Sequence, residues 1–289
     1  MKVVITGAGG QLGVDLAEHC TETGDHVVAV DRSSLDITDP AAVRELLSSV
    51  RPDAVINAAA YTAVDACETN ADTAFAVNAD AVGFLSAVCD DVGAHFVQVS
   101  TDYVFDGTLD RPYREDDPTN PQSVYGQSKL AGEIAAGPNA AIARTSWVCG
   151  EHGNNMVKLV LRLAANPEQS LAFVDDQRGN PTFTADLAPA LRQLAVDRRS
   201  GVHHVTNQGA VSWYEFVREI LAAAGDDPDR VRPISSAHLD PPRPAPRPAN
   251  SVLDNGAWRA AGYEELRNFR EPLAELVAKL APHSTQTSV

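Results

Sequence analysis

The chain has 289 residues, 44% of them hydrophobic, enough to bury one large α/β domain or a nucleotide domain with a smaller companion. A net charge of −16 and a pI near 4.8 exclude duplex nucleic acid as a partner, because that polyanion needs a basic face. No apolar run approaches the roughly 20 residues that span a bilayer, and "MKVVITGAGG" has no signal-peptide cleavage segment, so a soluble, cytoplasmic protein with no membrane partner is expected.

"KVVIT" (2–6) is a short β-branched run of the kind buried on both faces of a parallel sheet. "GAGGQLG" (7–13) follows, then an amphipathic stretch with Leu12, Leu16 and Ala17, ending at Gly24. "HVVAVD" (26–31) is a second strand that ends in an acid. "DITDPAAVRELLSSV" (36–50) predicts a helix with a readable start. Asp39 caps, Pro40 suits the first turn, and Val43, Leu46, Leu47 and Val50 form one face. "DAVINAAA" (53–60), "HFVQVS" (95–100) and "NAAIART" (139–145) read as further strands, with helices over 69–92 and from Tyr125 to about Ala136. Beyond residue 150 the alternation loosens, with helices near 155–166, 184–196 and 212–224 and short strands "LAFV" and "VHHV". The proline-rich stretch 232–251 predicts an extended surface loop, and "PHSTQTSV" (282–289) a disordered end.

Alternating strands and helices with short connections predict an α/β fold: a Rossmann-type doubly wound parallel sheet over residues 1–150. A smaller, mainly substrate-binding α/β region occupies 151–289, and later segments can return from it to the first domain. Right-handed crossovers bring the strand ends to one edge, where such folds bind ligands.

Gly7, Gly10 and Gly13 stand between the first strand and first helix, where glycines allow a tight turn and close approach of a pyrophosphate to the helix start. Asp31, about 20 residues on, suits an adenosine ribose, whereas Arg32 beside it suits a 2′-phosphate, which leaves NADH and NADPH both open. Asp36 and Ile37 could flank the adenine, or Asp36 could be a plain turn residue. Tyr125 and Lys129 lie four apart on one helix face. Packing alone would explain that spacing. Beside a nicotinamide the pair has a mechanism: Tyr125 donates a proton to a carbonyl oxygen, and the Lys129 ammonium lowers the tyrosine pKa from near 10. Thr101, at the end of the fourth strand, adds a hydroxyl to the substrate oxygen, and the trio needs no metal. Cys20, Cys67, Cys89 and Cys149 form no C-x-x-C and read as reduced, buried thiols. His152, His203 and His204 read as structural, and the acidic 115–121 segment as a solvated loop.

The glycine turn, the Thr101–Tyr125–Lys129 set and the length resemble the extended short-chain dehydrogenase/reductases. "NAAAYTAVDACE" (57–68), "STDYVFDG" (100–107), "VYGQSKLAGE" (124–133), "DDQRGNPTFTADLA" (175–188) and "RPANSVLD" (247–254) narrow the resemblance to the dTDP-4-dehydrorhamnose reductases, over nearly the whole chain. That resemblance implies reduction of dTDP-4-dehydro-L-rhamnose by NADPH or NADH, the last step of dTDP-L-rhamnose synthesis, by a homodimer. It implies that Gly10, Gln11 and Leu12 meet the pyrophosphate and Ala60, Tyr61 and Thr62 the cofactor's middle. Lys129 also holds the cofactor. Asp102 and Trp147 contact the nucleotide sugar, and Arg247 is a candidate for its phosphate. "RTSWVCG" departs from the family, with Cys149 where tyrosine is usual, which touches the expected sugar pocket.

Two other readings keep the fold. A sugar-nucleotide epimerase or dehydratase would recycle a tightly held NAD, and a regulatory subunit resembling that of methionine adenosyltransferase would act by association. The complete trio argues against the second. Only four of the 23 basic residues are lysines (Lys2, Lys129, Lys158 and Lys279), and an acidic, lysine-poor surface suits a halophilic source.

Overall fold

In the computed structural model, which describes residues 1–166 and 168–280, the first apolar run forms β1 (Lys2–Thr6), with Val3, Val4 and Ile5 buried. The expected disordered end, 282–289, lies outside the described residues. Helix α1 (Gln11–Glu22) buries Leu12, Leu16 and Cys20, spaced at four, on one face. Strand β2 (His26–Val30) and helix α2 (Pro40–Val50) follow; Asp39 accepts from the amides of Ala41 and Ala42 at 2.9 and 3.2 Å, with Pro40 in the first turn. After β3 (Ala54–Asn57) come α3 (Val64–Cys67), α4 (Ala71–Phe75), a π-helical turn at Ala76–Asp80, and α5 (Ala81–Val92). The helix expected over 69–92 therefore carries a π turn in its middle. Strand β4 (His95–Thr101), α6 (Val124–Ala136) and β5 (Ala141–Thr145) complete the first half.

The second half contains β6 (Val148–Cys149), α7 (Met156–Ala164), β7 (Leu171–Val174), β8 (Arg178–Gly179), β9 (Thr182–Phe183), α8 (Thr184–Val196) and β10 (Gly201–His204). It continues with β11 (Val211–Ser212), α9 (Trp213–Ala223), β12 (Val231–Ile234), α10 (Gly256–Ala260) and α11 (Arg270–Leu280). Ser212 and Glu215 close a capping box at the start of α9. Strand β12 takes up the beginning of the stretch expected to be wholly loop. Among the described residues no helix is long and apolar enough to cross a membrane.

The main sheet runs β10-β5-β4-β3-β1-β2, every pairing parallel. Its sixth strand comes from the second half, with Val202 opposite Ile142. Alternate residues of β1 face opposite layers. Val3 and Ile5 meet Leu16 of α1 and Leu187, Leu191 and Leu194 of α8, whereas Val4 meets Val43 and Leu47 of α2 and Leu85 of α5. A separate core joins Phe216 and Ile220 of α9 to Val157 and Val160 of α7 and to Leu273 and Val277 of α11. The chain leaves β1 towards β2 on one side and returns to β3 on the other. Strand order reverses there, and the crevice in which such folds bind ligands opens at that edge of the sheet.

Candidate active site

The glycines shape that crevice by what they leave out. A Cβ on Gly13 would lie 2.1 Å from the carbonyl oxygen of Gly7, and one on Gly7, whose φ is +71°, would lie 2.5 Å from the Ala59 nitrogen. The turn after β1 thus packs against the strand-β3 exit and against its own helix. Gly10 caps α1 without a capping side chain, so the first amides of the helix point towards the turn.

Two adjoining cavities open on this edge, of about 540 and 430 Å³, and share Gly10, Ala58 and Ala60. The first takes Gly7, Asp31, Arg32, Asp36, Ile37 and Tyr61. Asp31 Oδ1 accepts from the amide and hydroxyl of Ser33 at 2.9 and 2.6 Å, and the seryl hydrogen bonds hold its pKa below the usual carboxylate value. Asp36 is both a turn residue and a wall, since its Oδ1 binds Thr38 at 2.7 Å while it lines the cavity.

The second cavity gathers Gln11, Leu12, Gly13 and Thr62 with Thr101, Asp102, Tyr125, Lys129 and Trp147. Helix α6 delivers Tyr125 and Lys129. Ser123 caps it, accepting from Gly126 at 3.1 Å, and Glu68 accepts from the Val124 amide at 2.9 Å. Two of its glycines let it sit tightly: a Cβ on Gly126 would meet the Tyr103 carbonyl at 2.3 Å, and one on Gly132 the Asn78 carbonyl at 2.0 Å. Asn78 lies in the π turn and joins three parts of the site. Its side chain accepts from the Tyr61 amide at 2.8 Å and donates to the Tyr61 carbonyl at 3.1 Å and to Ser128 Oγ of α6 at 3.0 Å.

The electrostatics correct one expectation. Burial pushes the Tyr125 hydroxyl well above its ordinary value; the nearby Thr101 hydroxyl opposes this, and desolvation outweighs any lowering by Lys129. Lys129 Nζ donates to the Val99 carbonyl at 2.6 Å, and burial pushes the ammonium down to about 8. Asp102 is the third displaced group. Thr101 Oγ1 donates to its Oδ1 at 2.9 Å, while Oδ2 is buried with no hydrogen-bond partner. Ser251 lies near enough to favour the carboxylate, yet its hydroxyl donates to the Arg178 carbonyl at 3.2 Å. Burial wins and pushes Asp102 up to about 6.

Trp147 adopts a left-handed backbone (φ +46°) and stacks face to face on Trp213, with centroids 3.5 Å apart and planes 6° apart. Trp213 lines the same cavity and was missed in the sequence, where it reads only as a helix start. Arg247 stands outside the Tyr125 cavity. It lines a neighbouring one of about 280 Å³ that shares Tyr103 and Trp213 with it, and its guanidinium grips Asp65 at 2.6 and 2.8 Å.

Other expected features have structural duties. Glu115, expected on a solvated loop, accepts from the backbone amides of His204 and Ala257 at 3.1 and 3.0 Å. His203 and His204 each have one ring nitrogen bonded to a carbonyl, and the other is buried without a partner. All four cysteines are buried and unpaired. Among the described residues, Asp15, Glu18 and His152 bring potential metal-ligand atoms within 4.8 Å of one another, and none of them lines either cavity.

Residues 1–281 match the family model described as the RmlD substrate binding domain. The dTDP-4-dehydrorhamnose reductase of Mycobacterium tuberculosis is 46% identical over 286 residues, 96% of this chain and 92% of that protein. A crystal structure of a dTDP-4-dehydrorhamnose reductase from Clostridium acetobutylicum superposes with a TM-score of 0.92 at 40% identity, covering 97% of this chain and 99% of that one. The Bacillus anthracis dTDP-4-dehydrorhamnose reductase, crystallised in complex with NADP, superposes with a TM-score of 0.91 at 34% identity, covering 96% and 99%. With a glycine-lined crevice, a Thr101–Tyr125–Lys129 cavity and this similarity along its length, the chain belongs to the RmlD family, alongside the dTDP-4-dehydrorhamnose reductases.

Proposed function

We propose that the chain reduces the 4-keto group of dTDP-4-dehydro-L-rhamnose to give dTDP-L-rhamnose, using NADPH or NADH. The observation that carries this reading is the meeting of Thr101, Asp102, Tyr125 and Lys129 in a cavity continuous with the glycine turn. The turn suits a dinucleotide, because a side chain at Gly7 or Gly13 would fill the space the backbone needs for close packing. Gly10, Gln11 and Leu12 would hold the pyrophosphate, Ala60, Tyr61 and Thr62 the middle of the cofactor, and Asp31, Arg32, Asp36 and Ile37 the adenosine end. The bound nicotinamide supplies the hydride.

Tyr125 keeps its proton across the neutral range because burial raises it, which suits a donor that must wait for an alkoxide. Thr101 Oγ1 fixes the substrate oxygen near the phenol. The Lys129 ammonium stabilises the tyrosinate as the proton leaves, and at neutral pH it is still mostly protonated. The free Oδ2 of Asp102 would accept a sugar hydroxyl, which would give that atom its missing partner. The stacked Trp147 and Trp213 offer an apolar wall to the sugar nucleotide, whose phosphates would reach towards Arg247 through the adjoining cavity. A homodimer in the cytoplasm belongs to the same reading.

The test mixes the protein with dTDP-4-dehydro-L-rhamnose and each reduced cofactor and follows the cofactor's absorbance. Substrate-dependent oxidation is expected, reduced by about 10²–10⁴ in Tyr125→Phe with cofactor binding retained. A flat trace from a folded, cofactor-binding protein would refute the reading in favour of an epimerase, a dehydratase or a regulatory subunit.

A further inference from the structure

Glu133 lies one helical turn beyond Lys129 and two beyond Tyr125, so the three share a face of α6. Its carboxylate is buried and held from two strands. Ser100 Oγ donates at 2.5 Å, and Arg144 donates from Nε at 2.9 Å and Nη2 at 2.7 Å. Ser100 and Arg144 face each other across β4 and β5 and directly precede Thr101 and Thr145. Glu133 therefore fastens the helix that carries Tyr125 and Lys129 to both strand ends of the cleft.

The charges here are unequal. Lys129 and Arg144 are two buried cations, and Glu133 is the carboxylate beside both. Lys129 itself bonds only a neutral carbonyl. An arginine keeps its proton, whereas a buried lysine readily gives one up. The other ionisable groups on the elements around α6 do not replace Glu133. Asp102 and Tyr103 follow β4, and Asp102 is raised by burial. On α3, Asp65 is bound to Arg247 and Cys67 is held neutral by burial, while Glu68 at its end accepts from the Val124 amide at the start of α6. Asp72, Asp80, Asp90 and Asp91, on α4, the π turn and α5, are exposed to solvent.

We propose that Glu133 is a positioning residue for the reduction, the buried counter-charge that keeps the Lys129 ammonium protonated one helical turn from the proton donor. The proposal rests on the reading of Tyr125 and Lys129 given above. Burial already draws Lys129 down to about 8, and the Glu133 carboxylate opposes that fall. Without it the buried Lys129 ammonium loses the charge that opposes its desolvation, and the lysine yields its proton more readily.

The experiment measures the pH profile of kcat/KM for wild type and Glu133→Gln, together with the titration of Lys129 by ¹⁵N NMR. With only four lysines in the chain, the labelled Nζ signals are few, and Lys129→Arg assigns the one that matters. In Glu133→Gln the alkaline limb and the Lys129 midpoint are both expected to move down by about one pH unit. Ser100→Ala removes one hydrogen bond and leaves the charge, so it is expected to lower Tm without moving the midpoint. The double variant Glu133→Gln/Arg144→Gln leaves no unpaired buried guanidinium and is likewise expected to move the midpoint down, which keeps the test open if Glu133→Gln alone does not fold. An unchanged midpoint in Glu133→Gln, or in the double variant if only that folds, overturns the proposal and leaves Glu133 as a structural fastening. The NMR titration reads the proposal without turnover, so an inactive wild type would sink the reductase reading separately.

Discussion

Replacing Asp102 by asparagine separates the electrostatic cost of the cleft from its shape. The carboxyl is raised from an ordinary 3.8 to about 6 by burial. Between those values the folded protein holds a proton that the unfolded chain has already lost, so stability falls as pH rises through that window. About two pH units at ~1.4 kcal/mol each make about 3 kcal/mol, fully present as a penalty above pH 6 and absent below about pH 4. Asparagine keeps an acceptor for Thr101 and cannot ionise. Any fixed cost of its amide is the same at every pH and cancels in the comparison. The Tm of Asp102→Asn is therefore expected to gain on wild type by about 6–12 °C between pH 4 and pH 7.5, at ~2–4 °C per kcal/mol for a chain near this size. Thermal melts of both proteins across that range measure it. A Tm difference that stays constant with pH would refute the burial argument. Activity should fall in the variant even as it becomes more stable, the usual exchange where a site keeps an uncomfortable charge.

Gly13→Ala is expected to weaken cofactor binding at least about tenfold, because the added methyl meets the Gly7 carbonyl and must open the turn; fluorescence titration with NADPH would show it, and an unchanged Kd would contradict the packing. Trp213→Ala leaves Trp147 without its stacking partner and is expected to raise KM for the sugar nucleotide more than it lowers kcat. Steady-state kinetics decide, and an unchanged KM would remove Trp213 from the substrate wall. With a net charge of −16, self-repulsion should ease as salt rises, so Tm should climb from low to molar KCl. A Tm indifferent to salt would argue against a halophilic adaptation.

Local signals in the sequence carried well into three dimensions. Asp39–Pro40 marks the start of α2, the β-branched runs become the strands, and the glycine spacing marks the crevice. The four-residue spacing of Tyr125 and Lys129 needed only a helix to bring them together. What stayed hidden depends on contacts between distant residues. The π turn follows from Asn78 bridging Tyr61 and Ser128, which no periodicity within 69–92 encodes. Arg247 is aimed by Asp65, far away in the chain, and Glu115 by two amides from later segments. The environment of Tyr125 was misjudged for a similar reason: spacing places the lysine nearby but does not reveal how thoroughly the phenol is desolvated. Helix α11 is different, because Leu273, Leu276, Val277 and Leu280 form a helical stripe that the sequence displays and that went unassigned.

The late return of the chain to its first sheet bears on how the protein is made. Strand β10 covers the edge of β5, and α8 roofs the face formed by Val3, Ile5, Ile56 and Val97. A ribosome that has released only the first 150 residues has therefore delivered a sheet with a bare edge and an apolar face covered by α1 alone, the two features that invite aggregation. Completion waits for residue 204, and Trp258 of α10 joins the same layer later still. The nascent cofactor half is thus a natural client for a chaperone until the second half arrives, and it makes a poor stand-alone expression fragment.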